Sequence, residues 1–135
     1  MRLYYDSTNK EVCNDFYFEN SLVGSMANFL SGTPSMVNIV AVERTELLLI
    51  GFKDAIDLVT KYKTLNKFAF TLLQEELQRA ERRAAELLKF APEDRFKNLM
   101  DVHPKIFKRV PLQYIASYLA ITPETLSRYR AKYNS

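Results

Sequence analysis

The sequence predicts an α+β protein, with strands in its first part and helices in the rest. Three observations support this prediction. Aromatic and β-branched residues are frequent near the N-terminus, a long stretch without Gly or Pro follows, and two short helical patterns meet at a tight turn near the C-terminus. The 135 residues accordingly divide into three parts, 1–62, 63–90 and 91–135.

The composition is that of an ordinary folded protein and does not indicate an enzyme. Apolar residues make up 47% of the chain and charged residues 26%, which argues against disorder as the main state. The strongest apolar run, Leu47–Phe52, is far shorter than the ~20 residues that span a membrane, and we find no signal-peptide pattern. Because Cys13 is the single cysteine and His103 the single histidine, we expect a cytoplasmic protein without cofactor, metal or catalytic activity.

Charge is distributed unevenly along the chain. Residues 1–50 carry three Lys or Arg against six Asp or Glu, whereas residues 101–135 carry six against two. The last segment therefore has a net charge of +4 (6 − 2) in a chain whose overall net charge is +3. A basic segment of this kind favours contact with a polyanion, although a merely soluble surface can have the same composition.

The N-terminal part is expected to form strands. Arg2–Tyr5 and Glu11–Phe18 are rich in aromatic and β-branched residues and flank the polar turn Asp6–Lys10, a pattern that is typical of a hairpin. Val37–Val42 and Glu46–Phe52 are predicted as two further strands. The second of these is so uniformly apolar that we expect it to be buried.

The middle of the chain is predicted to be helical. Ser21–Leu30 suits either a short helix or a turn-rich crossover, and residues 53–62 suit a short amphipathic helix. Thr64–Phe90 consists of good helix formers, and at 1.5 Å per residue this helix would be ~40 Å long. A further helix is predicted from Pro92 to Val102, where Pro104 follows as a stop signal.

The long helix carries an apolar seam whose members are spaced alternately three and four residues apart. This is the spacing of a coiled-coil interface. A helix that lies on the core of its own domain is the alternative, but two small alanines in the seam favour the close approach of a second copy. We therefore predict a dimer seam made of Phe70, Leu73, Leu77, Ala80, Ala84 and Leu87.

The most informative segment, Val110–Arg130, is predicted to form two short helices joined by a tight turn. Pro111 starts the first helix, and Thr122 and Pro123 are a good N-cap and first residue for the second. This layout is typical of a helix-turn-helix whose second helix enters the major groove of DNA. The residues expected to face inward are Ile115, Ala116, Leu119, Ile121 and Leu126.

The residues left on the outside of the second helix have side chains that suit DNA. Arg128 can donate two hydrogen bonds to guanine O6 and N7, and Glu124 can accept one from cytosine N4. Thr122, Arg130 and Lys132 are placed to bind phosphates. A helical hairpin that only packs is the alternative, but it does not explain a capped helix with a polar face and two arginines.

The same residues resemble a known family. Val110–Pro111, Ile115–Leu119 and Ile121–Arg130 are similar to the C-terminal motif of the Crp/Fnr family of bacterial transcription regulators. The likeness is closest to the branch that reads "vP-x-x-x-IAsyLgITPEtLSRiR", and Arg95 and Leu99 match in the helix before the motif. In element order, the resemblance extends over the whole chain.

The resemblance implies an architecture and partners. Residues 1–62 would be a partial cyclic-nucleotide-binding antiparallel β-roll, 63–90 the dimerisation helix, and 91–135 a helix-turn-helix (winged-helix-like) domain. Such a protein would bind double-stranded DNA as a homodimer, with RNA polymerase and a small-molecule effector as candidate further partners. The implied DNA-contacting set, completed from the residue chemistry above, is Gln113, Thr122, Pro123, Glu124, Thr125, Ser127, Arg128, Arg130 and Lys132.

Three features depart from the family pattern. The family has further strands and a helix upstream of what Arg2–Tyr5 resembles, so we expect a shortened sensor, or one that partner chains complete. Ser21 and Ser35 stand where cyclic-AMP binders have a Glu and an Arg, and serine cannot replace a guanidinium fork on a phosphate. Ala120 stands at the turn position where glycine is usual, which would cost about 1 kcal/mol if that residue has positive φ.

These observations together favour a homodimeric, sequence-specific DNA-binding regulator of Crp/Fnr type that does not bind cyclic AMP. Two alternatives remain open from the sequence. One is a sensing module whose pocket, between Leu22–Leu30 and Val37–Val42, takes another small molecule. The other is an interaction protein that dimerises with full-length relatives through Phe70–Leu87 and modulates them.

Overall fold

The computed structural model describes residues 1–7 and 10–133; Thr8 and Asn9, in the predicted hairpin turn, lie outside the described residues. The described part combines one antiparallel sheet with helices, so the predicted α+β class is confirmed. In chain order the elements are β1 (Arg2–Ser7), β2 (Lys10–Phe16), α1 (Met26–Ser31), β3 (Asn38–Val40), α2 (Phe52–Lys61), α3 (Lys63–Lys89), α4 (Pro92–Val102), α5 (Ile106–Arg109), α6 (Leu112–Leu119) and α7 (Pro123–Tyr133).

The sheet is built around the predicted hairpin. β1 and β2 pair antiparallel, with Arg2 opposite Phe16, and the register shifts between Leu3 and Tyr4. β3 pairs antiparallel with the other edge of β1, where Leu3 lies opposite Ile39. The strand order is therefore β2–β1–β3, with β1 in the centre.

The prediction of a buried strand over Glu46–Phe52 is wrong. The segment has no regular structure until α2 begins at Phe52, and Leu48 and Leu49 are 102% and 90% exposed. The strand predicted over Val37–Val42 is also shortened, to the three residues of β3. A continuous apolar run becomes a buried strand only where sheet neighbours and covering layers exist, and the described residues provide neither for this segment.

The three helices predicted between residues 53 and 102 are confirmed, with ends that differ by at most one residue from the prediction. For Ser21–Leu30 the structure selects the short helix, α1. Pro92 occupies the start of α4, with Glu93 and Asp94 in the first turn, where carboxylates complement the helix dipole. In the described part of the chain, we find no helix with the length and apolarity needed to cross a membrane.

The hydrophobic core lies among the C-terminal helices and is completed by the hairpin. Phe96 of α4, Ile115 of α6 and Leu126 of α7 are fully buried. Cys13 and Phe16 of β2 belong to the same cluster, so the strand covers one side of the helical core. Burial of large apolar side chains, at about 25 cal/mol per Å², is what holds these segments together.

A pair of hydrogen bonds fixes the hairpin to α6. The backbone N–H of Cys13 donates to Ser117 Oγ at 2.9 Å, and the Ser117 hydroxyl donates to the carbonyl of Glu11 at 3.2 Å. Beside them, the rings of Phe16 and Tyr118 lie 5.3 Å apart. The serine hydroxyl thus satisfies one donor and one acceptor of β2 that would otherwise have no partner.

A buried arginine adds a second contact between the hairpin and α6. The Arg2 guanidinium lies 4.3 Å from the ring centroid of Tyr4 and 3.9 Å from that of Tyr114. Its Nη2 atom is 2.5 Å from a carboxylate oxygen of Glu11. Cation–π contacts and an ion pair offset the desolvation of this charge, although Arg2 Nε and Nη1 have no hydrogen-bond partner among the described atoms.

We predict that Ser117→Ala loosens the hairpin and exposes the thiol of Cys13. Burial raises the pKa of Cys13 to about 12, so the thiol should react very slowly with an aromatic disulfide reagent at pH 8 in the folded protein. Removing the hydroxyl leaves the backbone N–H of the buried Cys13 without its partner, at a cost of about 1–3 kcal/mol, and releases the exposed carbonyl of Glu11 to solvent. The labelling rate should rise at least tenfold.

Ser127→Ala, on the exposed side of α7, is the matched control and should leave the labelling rate unchanged. An equal rate in wild type and Ser117→Ala, with equal stability toward urea, would contradict the proposed attachment.

Candidate nucleic-acid interface

The turn between α6 and α7 is held by two backbone hydrogen bonds. Ile121 N–H donates to the Ala116 carbonyl at 3.0 Å, and Ala120 N–H to the Ser117 carbonyl at 3.1 Å. This pairing is the Schellman motif, which requires a left-handed residue after the helix. Ala120 is that residue, with φ 54° and ψ 46°, so the strain expected from the sequence is present.

The start of α7 has the predicted cap. Thr122 Oγ1 accepts a hydrogen bond from the backbone N–H of Thr125 at 3.2 Å, and Pro123 is the first residue of the helix. A side-chain oxygen at this position satisfies one of the N–H groups that a helix leaves unpaired at its start. Turn and cap together fix where α7 points.

The inward faces of the two helices are as predicted. Ile115, Ala116, Leu119 and Leu126 are buried, and Ile121 packs against the same cluster. On the same face of α7 as Leu126, the rings of Tyr129 and Tyr133 lie against the Phe96 ring of α4, with centroids 5.5 Å and 6.0 Å away. One face of α7 is therefore occupied by the core, which leaves the other face for a ligand.

The free face of α7 has a connected polar row. Arg128 Nη2 donates to Thr125 Oγ1 at 3.2 Å, and Thr122 and Thr125 are joined by their hydroxyls, also at 3.2 Å. These residues lie three apart, on one side of the helix. Arg128 itself is exposed, so its remaining N–H groups are available to a base.

Glu124 lies at the rim of this row, in the first turn of α7. Its pKa is lowered because the carboxylate accepts a hydrogen bond from its own backbone N–H and another from the Thr122 hydroxyl. Glu124 is thus an ionised acceptor at neutral pH, as a contact to a cytosine amino group requires. Pro123, Ser127 and Gln113 are also exposed, the last at the start of α6.

Two of the predicted phosphate contacts are less free than the sequence indicates. Lys132 Nζ lies 2.7 Å from a carboxylate oxygen of Glu93, and the Tyr133 hydroxyl donates to the same oxygen. These partners raise the pKa of Lys132. Arg130 is half-buried. Because surface ion pairs are worth only ~0–1 kcal/mol, Lys132 remains able to exchange Glu93 for a phosphate.

The basic residues in and beside α5 also differ in whether they are free to bind a phosphate. Arg109 of α5 donates to Glu19 at 2.9 Å and 2.6 Å and also contacts Glu43, and this bidentate contact lowers the pKa of Glu19 to about 2. Lys105 and Lys108 are exposed. The two lysines are therefore the cations of this segment that can approach a phosphate without displacing a carboxylate.

Two arginines hold the motif in place through contacts that the sequence pattern does not indicate. Arg83 of α3 donates to the carbonyl of Tyr118, and Arg95 of α4 donates to that of Leu119, at 2.8 Å from Nη2 and 3.2 Å from Nε. They satisfy carbonyls that the end of α6 leaves unpaired. Only the family resemblance drew attention to Arg95, and no local pattern indicates that Arg83 has this partner.

The predicted dimer seam divides into an exposed part and a covered part. Phe70 and Leu77 are 68% and 62% exposed, and Ala80, Ala84 and Leu87 are exposed too, whereas Leu73 is half-buried. At 100° per residue, Phe70, Leu77 and Ala84 lie roughly 130° around α3 from the side that meets the hairpin and α6. The exposed part of the seam is therefore an apolar face that no other described residue covers.

Comparison with protein-family models, with curated proteins and with solved structures finds no match for this chain.

We predict that Ala120→Gly stabilises the protein by about 1 kcal/mol. Glycine has no Cβ and takes positive φ freely, so the change removes the strain of the turn. The measurement is the free energy of unfolding in urea. The same change at Ala85, inside α3, should instead destabilise the protein by about 1 kcal/mol. A loss of stability in both variants would contradict the assigned turn geometry.

Proposed function

We propose that the chain is a homodimeric, sequence-specific regulator of transcription that binds double-stranded DNA, of Crp/Fnr type. The observation that carries the proposal is the pairing of a fixed turn with a free polar face on α7. Ala120 and Thr122 define the turn and cap, and Thr125 and Arg128 form the row beside them. A helix anchored on one side and polar on the other is the geometry of major-groove recognition.

Each polar residue has a role in this proposal that follows from its chemistry. Arg128 reads guanine through O6 and N7, and Glu124 reads cytosine through N4. Thr125 orients Arg128 through the hydrogen bond between them. Gln113 and Thr122, at the starts of α6 and α7, bind phosphates together with the helix N-termini, and Arg130 and Lys132 add charge.

Dimerisation through α3 would set the distance between the two copies of α7. Two copies that pair through Phe70, Leu77 and Ala84 bury the face that one copy leaves exposed. A two-fold axis along the paired helices repeats α7 on the other side of the axis. Dimers of this kind bind inverted half-sites about one turn of DNA apart.

A second candidate is the interaction protein that pairs with relatives through α3. The exposed apolar residues Leu47, Leu48, Leu49 and Ile50 favour it, because such patches mark surfaces that partners cover. It requires dimerisation but no DNA readout, so the presence or absence of an enriched DNA site separates it from the first candidate.

We predict that Arg128→Ala abolishes sequence preference. Selection from a randomised duplex pool with the wild-type chain should enrich an inverted repeat, and binding should weaken steeply with salt. Loss of one bidentate contact costs about 1–3 kcal/mol, or roughly 5- to 150-fold, in preference for the enriched site over random duplex.

Arg44→Ala, an exposed arginine in the loop before α2, is the matched control and should retain the preference. An enriched site that Arg128→Ala binds as well as wild type would contradict the proposed readout. No enriched site at all, with dimers intact, would favour the interaction protein.

We predict that Leu77→Glu converts the dimer to a monomer. A carboxylate at the centre of the seam would be buried against its copy, which is unfavourable without a cationic partner. Sedimentation velocity measures the change in mass. Thr71→Glu adds the same charge on another side of α3 and should leave the dimer intact. A monomeric wild-type chain at micromolar concentration would contradict the seam.

A further inference from the structure

A cleft of about 470 Å³ lies between α3, α4, β2 and the end of α6, away from the polar face of α7. Its lining includes four arginines, Arg79, Arg82 and Arg83 from α3 and Arg95 from α4. Arginine is the side chain that binds phosphate best, because its planar N–H groups match two phosphate oxygens. The four arginines concentrate positive charge around one cleft. None of them belongs to the proposed DNA-contacting set.

The carboxylates in the cleft do not neutralise these arginines. Asp15 pairs with Arg79, whose Nε is 3.1 Å from Oδ2, and Glu86 lies 4.0 Å from Arg83 Nη1. In the lining, four arginines against two carboxylates leave a formal charge of +2 (4 − 2), which becomes +1 when Glu76, 3.6 Å from Arg79 Nη1, is included. Arg82 has neither a hydrogen bond nor an ion pair with any described residue, so its guanidinium is free to bind a ligand.

Arg83 carries N–H groups that have no acceptor among the described atoms, and its guanidinium lies 3.8 Å from the ring centroid of Tyr118. Its side chain is only 13% exposed, and one N–H group donates to the carbonyl of Tyr118. Nε and Nη1 are buried and have no hydrogen-bond partner among the described atoms, since the 4.0 Å approach of Glu86 is too long for a hydrogen bond. A buried donor without a partner costs free energy that an anion in the cleft would recover.

The other walls of the cleft are apolar. Phe16, Phe18, Leu99 and Tyr118 line it beside the arginines. Small-molecule sites combine such walls with a few convergent polar groups. A bare inorganic anion would leave these walls unused, whereas a phosphorylated organic molecule would contact both parts.

We propose that this cleft binds a small phosphorylated organic molecule, with its phosphate on Arg82 and Arg83 and its apolar part against Phe18 and Tyr118. The ligand would be sensed at the DNA-binding motif because Arg83 and Arg95 also hold the end of α6. This cleft is distinct from the pocket that the sequence suggested between Leu22–Leu30 and Val37–Val42.

Calorimetry on the full chain, without DNA, tests this proposal independently of the proposed function. Phenyl phosphate is the probe, because it carries both a phosphate and an apolar ring, and it is titrated at constant ionic strength set with chloride. We expect saturable binding to wild type and at least a tenfold weaker affinity in Arg82→Gln, whose exposed position leaves the fold intact by circular dichroism. Arg82→Lys should recover part of the affinity because it restores the charge.

Lys89→Gln removes one positive charge from the same helix outside the cleft lining and should bind as wild type does. No saturable heat with the wild-type chain would overturn the proposal. Equal weakening in Lys89→Gln and Arg82→Gln would also overturn it, because the binding would then follow net charge alone.

Discussion

The hydrogen bonds at the end of α6 are the contacts on which the rest of the structure depends. Arg83 from the long helix and Arg95 from α4 both donate to the last carbonyls of α6, at Tyr118 and Leu119. Hydrogen bonds from a charged donor contribute about 1.5–3 kcal/mol each. They tie α3, which carries the exposed apolar face, to the turn that leads to α7. In the proposed dimer, these contacts also set where the two copies of α7 lie.

The hairpin meets α6 one residue before these carbonyls. Ser117 binds β2 through its hydroxyl, while its own carbonyl takes part in the turn that leads to α7. β2, α3 and the turn that leads to α7 thus converge on a few consecutive residues, which also border the arginine cleft through Tyr118 and Leu119. A change in any of these segments reaches α7 through covalent neighbours and direct contacts. In the proposed function, no long chain of intermediate residues is needed to link the arginine cleft, the exposed face of α3 and α7.

The parts that the sequence predicted well are those encoded by neighbouring residues. The N-cap of Thr122, the proline of α4 and the apolar face of α3 each arise from residues within two or three turns, so periodicity and caps sufficed. The prediction of a buried strand over Glu46–Phe52 was wrong because an apolar run becomes a buried strand only with distant partners. The contacts of Lys132 with Glu93 and of Arg83 with Tyr118 join residues 39 and 35 positions apart, and no local signal indicates them.

The most direct test of DNA recognition by paired α7 helices is a guanine footprint. The dimer is bound to a duplex that it selects, and dimethyl sulfate then methylates the accessible guanine N7 atoms of the major groove. Two clusters of protected guanines, about one turn (~10 base pairs) apart on one face of the duplex, are the predicted result. Protection of the sugar–phosphate backbone from hydroxyl radicals, with every guanine N7 still reactive, would contradict it.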